Sequence, residues 1–191
     1  MLEKLPHAIG EALRGIRPGL EKTVYFGGDV AAAPETITVT SSAFAPNEPI
    51  PPRFTQDGAG ISPPLAWAHL PAGAAALVLL IEDADSPTPQ PLVHLIAWDL
   101  PARDGGLAEG EARSSGSGGA KHPLGKNSFM SAEYLPPDPP SGHGPHRYVV
   151  QVYALDRALN LSGIPGRGAV LDAMRGHVLA KGHLVGTYER R

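Results

Sequence analysis

Two short stretches of this 191-residue chain collect side chains that can do chemistry. The first is Asp83-Ala84-Asp85-Ser86-Pro87 followed by His94; the second is Gly144-Pro145-His146-Arg147-Tyr148. Each joins a turn-forming sequence to an apolar run, so carboxylates, imidazoles and a phenol can meet at one rim of a sheet. Such a set can bind an oxyanion, hold a metal or move protons. In extended chain Asp83 and Asp85 are expected to share one face. Ser86-Pro87 suits a cis peptide, which would aim both acids inward. In a strand that begins at 146, His146 and Tyr148 share a face. Arg147 then turns to the other face, where it can pair with an acid beneath the site.

Plainer readings stand beside these. Asp-x-Asp-Ser-Pro is ordinary turn chemistry, and a lone histidine in a strand is more often a satisfied core residue than a ligand. His94 gains weight from its place shortly after Pro87, near the same sheet end.

The elements that must position these residues are mostly strands. Thr36-Ile37-Thr38-Val39-Thr40 alternates as a half-buried strand does. Ala74–Ile81 is a continuous apolar run, suited to a buried strand that delivers the chain into the Asp83–Pro87 turn. Leu92–Leu100 is a second such run, interrupted by His94. Tyr148–Leu155 is a third, and Leu184–Tyr188 closes the chain as a strand. Residues 45–64 and 136–145 are Pro-rich loops, and the Gly/Ser-rich stretch 102–121 reads as a mobile excursion. Val170, Leu171, Met174, Val178 and Leu179 predict a helix over about 168–180. At the start, Leu2, Leu5, Ile9, Leu13, Ile16 and Leu20 form an apolar helical stripe that should end near Arg17, before Pro18. It would dock on its own domain or act as an arm that forms a homodimer.

Composition narrows the function classes. Hydrophobic residues at 42% with 18% charge describe a globular chain, and Gly 23 with Pro 21 a loop-rich one. A net charge of −3 gives no basic field for nucleic acid. Zero cysteines exclude disulfides, thiolate nucleophiles and Cys-ligated zinc, and fit a reducing compartment. No apolar run approaches the roughly 20 residues of a membrane helix. Charged residues interrupt any secretory core near the N-terminus, so a cytoplasmic location is expected.

The residues Asp83-x-Asp85-x-Pro87 with His94, then Gly-Pro-His146-Arg147-Tyr148, resemble the two signature regions of the phosphatidylethanolamine-binding protein family. Ile50–Gly58, Ser62–Trp67, Ala173–Ala180 and Leu184–Arg190 are similar to its bacterial and archaeal branch, often called Raf kinase inhibitor-like. The likeness covers about residues 36–191 in consistent order.

The resemblance implies a mainly β, sandwich-like domain over 31–191. It would have a large antiparallel sheet and a few short helices, one near the C-terminus; residues 1–30 have no counterpart in the family and are expected, from their apolar stripe, to form a helical extension. It implies that Asp83, Asp85, Pro87, His94, His146 and Tyr148 line an anion pocket, with Gly144 at its lip and Ser86–Pro87 cis. Family members hold phosphate-like groups or phosphorylated head groups there, and some inhibit kinases or proteases through protein contacts. Two positions depart from the usual Asp-Pro-Asp-Ala-Pro: Ala84, and Ser86, whose hydroxyl can contact the ligand. Leu92, Val93 and Leu95 stand around His94, where aromatics are common.

The expected function is therefore non-enzymatic binding of a small anion, with no cofactor and no metal, and with a regulatory protein partner. Protonated His94 and His146, held charged by the aspartates, would meet the anion, so each pKa should be raised. Hydrolysis and metal-dependent catalysis by the Asp/His set are the alternatives. Against hydrolysis, no Gly-x-Ser-x-Gly elbow surrounds any serine, and Pro87 directly follows Ser86.

Overall fold

The computed structural model describes residues 6–113 and 121–190. Seven strands are defined among them: β1 Thr38–Thr40, β2 Leu65–Ala68, β3 Ala76–Asp83, β4 Leu92–Pro101, β5 Gly105–Leu107, β6 His146–Leu155 and β7 Val178–Tyr188. Two helices, α1 His7–Leu13 and α2 Arg167–Met174, flank them. All ladders within the sheets are antiparallel. One sheet has the order β4-β3-β6-β7 and the smaller one β1-β2-β5. The fold is mainly β, with a large antiparallel sheet as the sequence suggests.

Alternation along the long strands divides the core in two. Leu77, Leu79 and Ile81 of β3 join Val150, Val152 and Ala154 of β6 against Val39, Trp67 and Leu107 of the small sheet. Val78, Leu80 and Tyr153 face the other way, toward Val24, Tyr25, Val170 and Met174. The large sheet is thus covered on both faces, which explains why its strands read as unbroken apolar runs.

Several sequence expectations need correction. The helix expected over 168–180 stops at Met174. Gly176 takes a left-handed φ of 77°, and Val178 begins β7 opposite Leu155. Within 102–121, Gly105–Leu107 is an edge strand, because Leu107 pairs with Leu65 and is buried; residues 114–120 lie outside the described residues. The first helix is short and does not bury an apolar stripe. Gly10 is its buried residue, while Ile9 and Ile16 are exposed; Leu2 and Leu5 are outside the described residues. No described peptide bond is cis, so Ser86–Pro87 is trans. Among the described residues, no helix is long and apolar enough to cross a membrane.

Candidate functional site

The site forms where β3, β4 and β6 end together. Asp83 closes β3 opposite Leu92 of β4 and Tyr148 of β6, while His146 opens β6 opposite Tyr188. A β-bulge sets His94. Consecutive Ile81 and Glu82 pair with Leu95 and Val93, so His94 is the extra residue of β4. The extra residue shifts the alternation: Val93 packs with the Val24 side of the sheet and Leu95 with the Trp67 side. His94 therefore meets the Tyr148 ring edge-on, with centroids 5.1 Å apart.

Asp83, Ser86, Pro87, His94 and His146 line one cavity of about 210 Å³. Its remaining wall is largely apolar, with Leu92, Phe129, Leu135, Pro136 and Pro139, and adds Gln56 and Asp138. Tyr148 lies behind His94; the two share a neighbouring void of about 10 Å³. Ser86 Oγ contacts Thr88 Oγ1 at 2.7 Å.

Gly144, Asp85 and Tyr148 do not line the cavity. The chain leaves extended geometry at Asp83, so Asp85 does not share its face. The Asp85 carboxylate accepts from the Arg147 backbone N–H at 2.9 Å, and from its Nε and Nη2 at 2.7 Å each. Burial alone would raise the Asp85 carboxyl, but the Arg147 guanidinium and backbone N–H outweigh it and hold it below the usual carboxylate range. Arg147 is the structural partner on the opposite face that the alternation requires.

The two predicted imidazoles differ. His94 is fully buried, its Nδ1 donates to the Leu135 carbonyl at 2.7 Å, and its Nε2 has no partner. Burial depresses its pKa, and the nearby Asp83 charge does not restore it. The expectation of a raised pKa fails at His94 because desolvation exceeds the pull of the carboxylate. Both nitrogens of His146 are occupied, Nδ1 by Asp83 Oδ2 and Nε2 by His143 Nδ1, each at 2.7 Å. His146 therefore presents ring surface rather than a free N–H. The Tyr148 hydroxyl is buried without a partner, and burial, then Asp83, push its pKa well up, so it stays a proton donor.

A family model for phosphatidylethanolamine-binding protein matches residues 40–189. The chain belongs to that family. A UPF0098 protein of Pyrococcus horikoshii is 40% identical over 152 residues, covering 79% of this chain and 76% of the relative. The crystal structure of a phosphatidylethanolamine-binding protein homolog from Chlamydia trachomatis superposes with TM-score 0.74 at 35% identity. It covers 82% of this chain and 99% of the other. YbcL of E. coli, described as a member of the mammalian family, shares the fold with TM-score 0.75 at 23% identity, over 82% of this chain and 99% of its own. A Mycobacterium tuberculosis relative, 36% identical over 163 residues (83% of this chain, 75% of its own), is named lipoprotein LppC.

At this site the sequence alone did not point to His143, Leu135 or Asp138. His143 had a legible signal, the His-Gly-Pro-His spacing to His146. Leu135 acts through its backbone carbonyl, which no side chain announces. Asp138 lines the cavity while accepting from Arg190 Nη1 at 2.7 Å. Among the described residues, no group of three or more His, Cys, Asp or Glu is placed to hold a metal ion.

Proposed function

We propose that the protein is a non-enzymatic binding protein whose cavity takes a small phosphate-type anion or a phosphorylated head group. One observation carries the reading: His94 Nε2, on the cavity wall, and the Tyr148 hydroxyl, on the ring in edge contact behind it, are both buried and unpartnered. Such groups are rare in folded proteins because an unmet buried donor or acceptor costs about 1–3 kcal/mol. Of the remaining polar lining, each carboxylate is already compensated: Asp83 by His146 and the Asp85 N–H, Asp138 by Arg190. An incoming anion therefore meets no bare negative charge.

The pair is also selective about protons. With its Nδ1–H committed to Leu135, His94 offers a lone pair, whereas Tyr148 offers a hydrogen. A phosphoryl group that keeps one P–OH satisfies both at once. The apolar wall would take the short carbon chain of a head group, and exposed Phe129 and Met130 beside it offer a surface to a regulatory protein partner. Ser86 Oγ is engaged with Thr88 Oγ1 and Pro87 follows it directly, which supports binding over hydrolysis. A cytoplasmic location is proposed on the zero cysteine content.

The test is calorimetric titration with methyl phosphate between pH 5.5 and 8.5, in buffers of different ionisation enthalpy. The complex holds one proton between His94 and the phosphoryl oxygen. Above the second phosphate pKa of about 6, affinity should fall roughly tenfold per pH unit with uptake of one proton. Affinity that is flat or rises with pH contradicts the reading.

A further inference from the structure

The hydrogen-bond chain that ends on Asp83 begins outside the family-matched residues. The Leu13 carbonyl at the end of α1 contacts His143 Nε2 at 2.9 Å. A carbonyl oxygen only accepts, so His143 carries its hydrogen on Nε2. Arg17 Nη2, which only donates, lies 3.5 Å from His143 Nδ1, leaving that nitrogen the acceptor. Burial, His146 and Arg17 all lower the His143 pKa, which agrees with a neutral ring. The hydrogen in the His143–His146 contact therefore sits on His146 Nε2. A second hydrogen lies between His146 Nδ1 and Asp83 Oδ2. Together the His146–Asp83 pair holds one proton more than it would if His143 donated instead.

We propose that the N-terminal arm, residues 7–19, is a working part of the binding pocket: it fixes His143 as an acceptor and thereby adds one positive charge beneath the cavity. His143 is a positioning residue, acting through His146. The arm is built to dock there. Gly10 packs so closely on Ser141 that a side chain would collide with its carbonyl oxygen. Arg14 Nη2 donates to the Gly142 carbonyl at 2.9 Å and Arg17 Nη1 to the Pro145 carbonyl at 2.7 Å. Arg17 Nη1 also lies 3.3 Å from Asp85, and the Gly19 N–H donates to the Ala84 carbonyl at 2.9 Å. The arm thus grips both loops that frame the site. The charged and titratable groups around the His143–His146 pair include His7, Arg14 and Arg17 from the arm, Asp83 from β3, Asp85 from the following turn, His94 from β4, and Arg147 and Tyr148 from β6.

With the arm undocked, His143 is free to carry its hydrogen on Nδ1 and donate to His146, which then stays neutral against Asp83. The affinity part of this proposal rests on the phosphate reading above; the protonation part does not. The experiment compares the full chain with Gly10→Val and, separately, Arg17→Leu. Imidazole ¹⁵N NMR at pH 7 and methyl phosphate titration are read on each, with circular dichroism to establish that the sheet is intact. The wild type should show His146 with both nitrogens protonated, and each variant should show it with one. Affinity should fall by roughly tenfold in both variants, the effect of removing one nearby charge. If the wild type does not bind methyl phosphate, the phosphate reading fails and the ¹⁵N signals alone decide the arm's role. His146 signals that are the same in wild type and variants overturn the proposal.

Discussion

Glu82 and Asp83 are neighbours on β3 and point to opposite faces of the large sheet, and their surroundings differ in kind. The Glu82 carboxylate accepts from the Val24 N–H at 2.8 Å, Gln151 Nε2 at 2.9 Å and Arg167 Nε at 2.7 Å. Gln151 Oε1 in turn accepts from the Tyr153 hydroxyl at 2.6 Å. This network is closed, and it ties residues 20–33 and α2 to the sheet. On the Asp83 face, His143, His146 and Asp83 satisfy one another, but His94 on the cavity wall leaves one acceptor unmet and Tyr148 behind it one donor. A closed buried network rigidifies the fold, whereas an unpaired buried polar group carries a cost. Trp98 Nε1 is also unpartnered, but it stands singly in the other core layer.

The sharpest way to break the comparison is to open the closed side. Glu82→Ala leaves the Val24 N–H, the Gln151 amide and the Arg167 guanidinium without their shared acceptor. Urea unfolding should show a loss of about 3–5 kcal/mol, while the folded fraction binds methyl phosphate as the wild type does. Altered binding with unchanged stability would mean that the two faces are not separable.

A smaller effect should appear in the pH dependence of stability. His94 is neutral and buried, with a folded pKa below its unfolded value near 6.5. Its contribution is therefore complete above pH 6.5 and is lost as pH falls below that value, where the unfolded chain takes up the proton. His94→Phe should reduce the slope of stability against pH between 5 and 6.5, by at most about 1.4 kcal/mol per pH unit. It should not abolish the slope, because His143 and His183 are depressed by burial in the same window. Asp85 acts separately, at pH values below its ordinary 3.8. An unchanged slope would show that His94 is not the neutral group described.

Much of the fold was legible because buried strands announce themselves. The runs at 74–81, 92–100 and 148–155 became β3, β4 and β6 almost unaltered, since both faces of the large sheet are covered. The short strands of the small sheet were harder. Gly105–Leu107 has too few side chains to carry a period, and only its pairing with β2 defines it. Val178–Ala180 had the spacing of a helix, and cross-strand pairing with β6 overrode it. At the site, alternation placed His146, Tyr148 and Arg147 on the faces where they lie. It failed for Asp85 because the strand ends at Asp83. The electrostatic reading failed at His94 for a different reason: charge partners can be read from a sequence, whereas the depth of burial cannot.

Everything above turns on whether the unmatched polar pair at the Asp83 face is held for a ligand. The most direct measurement takes wild type and Tyr148→Phe through thermal melting and methyl phosphate calorimetry side by side. Removing a buried hydroxyl that bonds to nothing should stabilise the free protein by about 1 kcal/mol, and should weaken binding by a similar amount or more. A variant that is less stable than wild type, or that binds methyl phosphate equally well, would contradict the account.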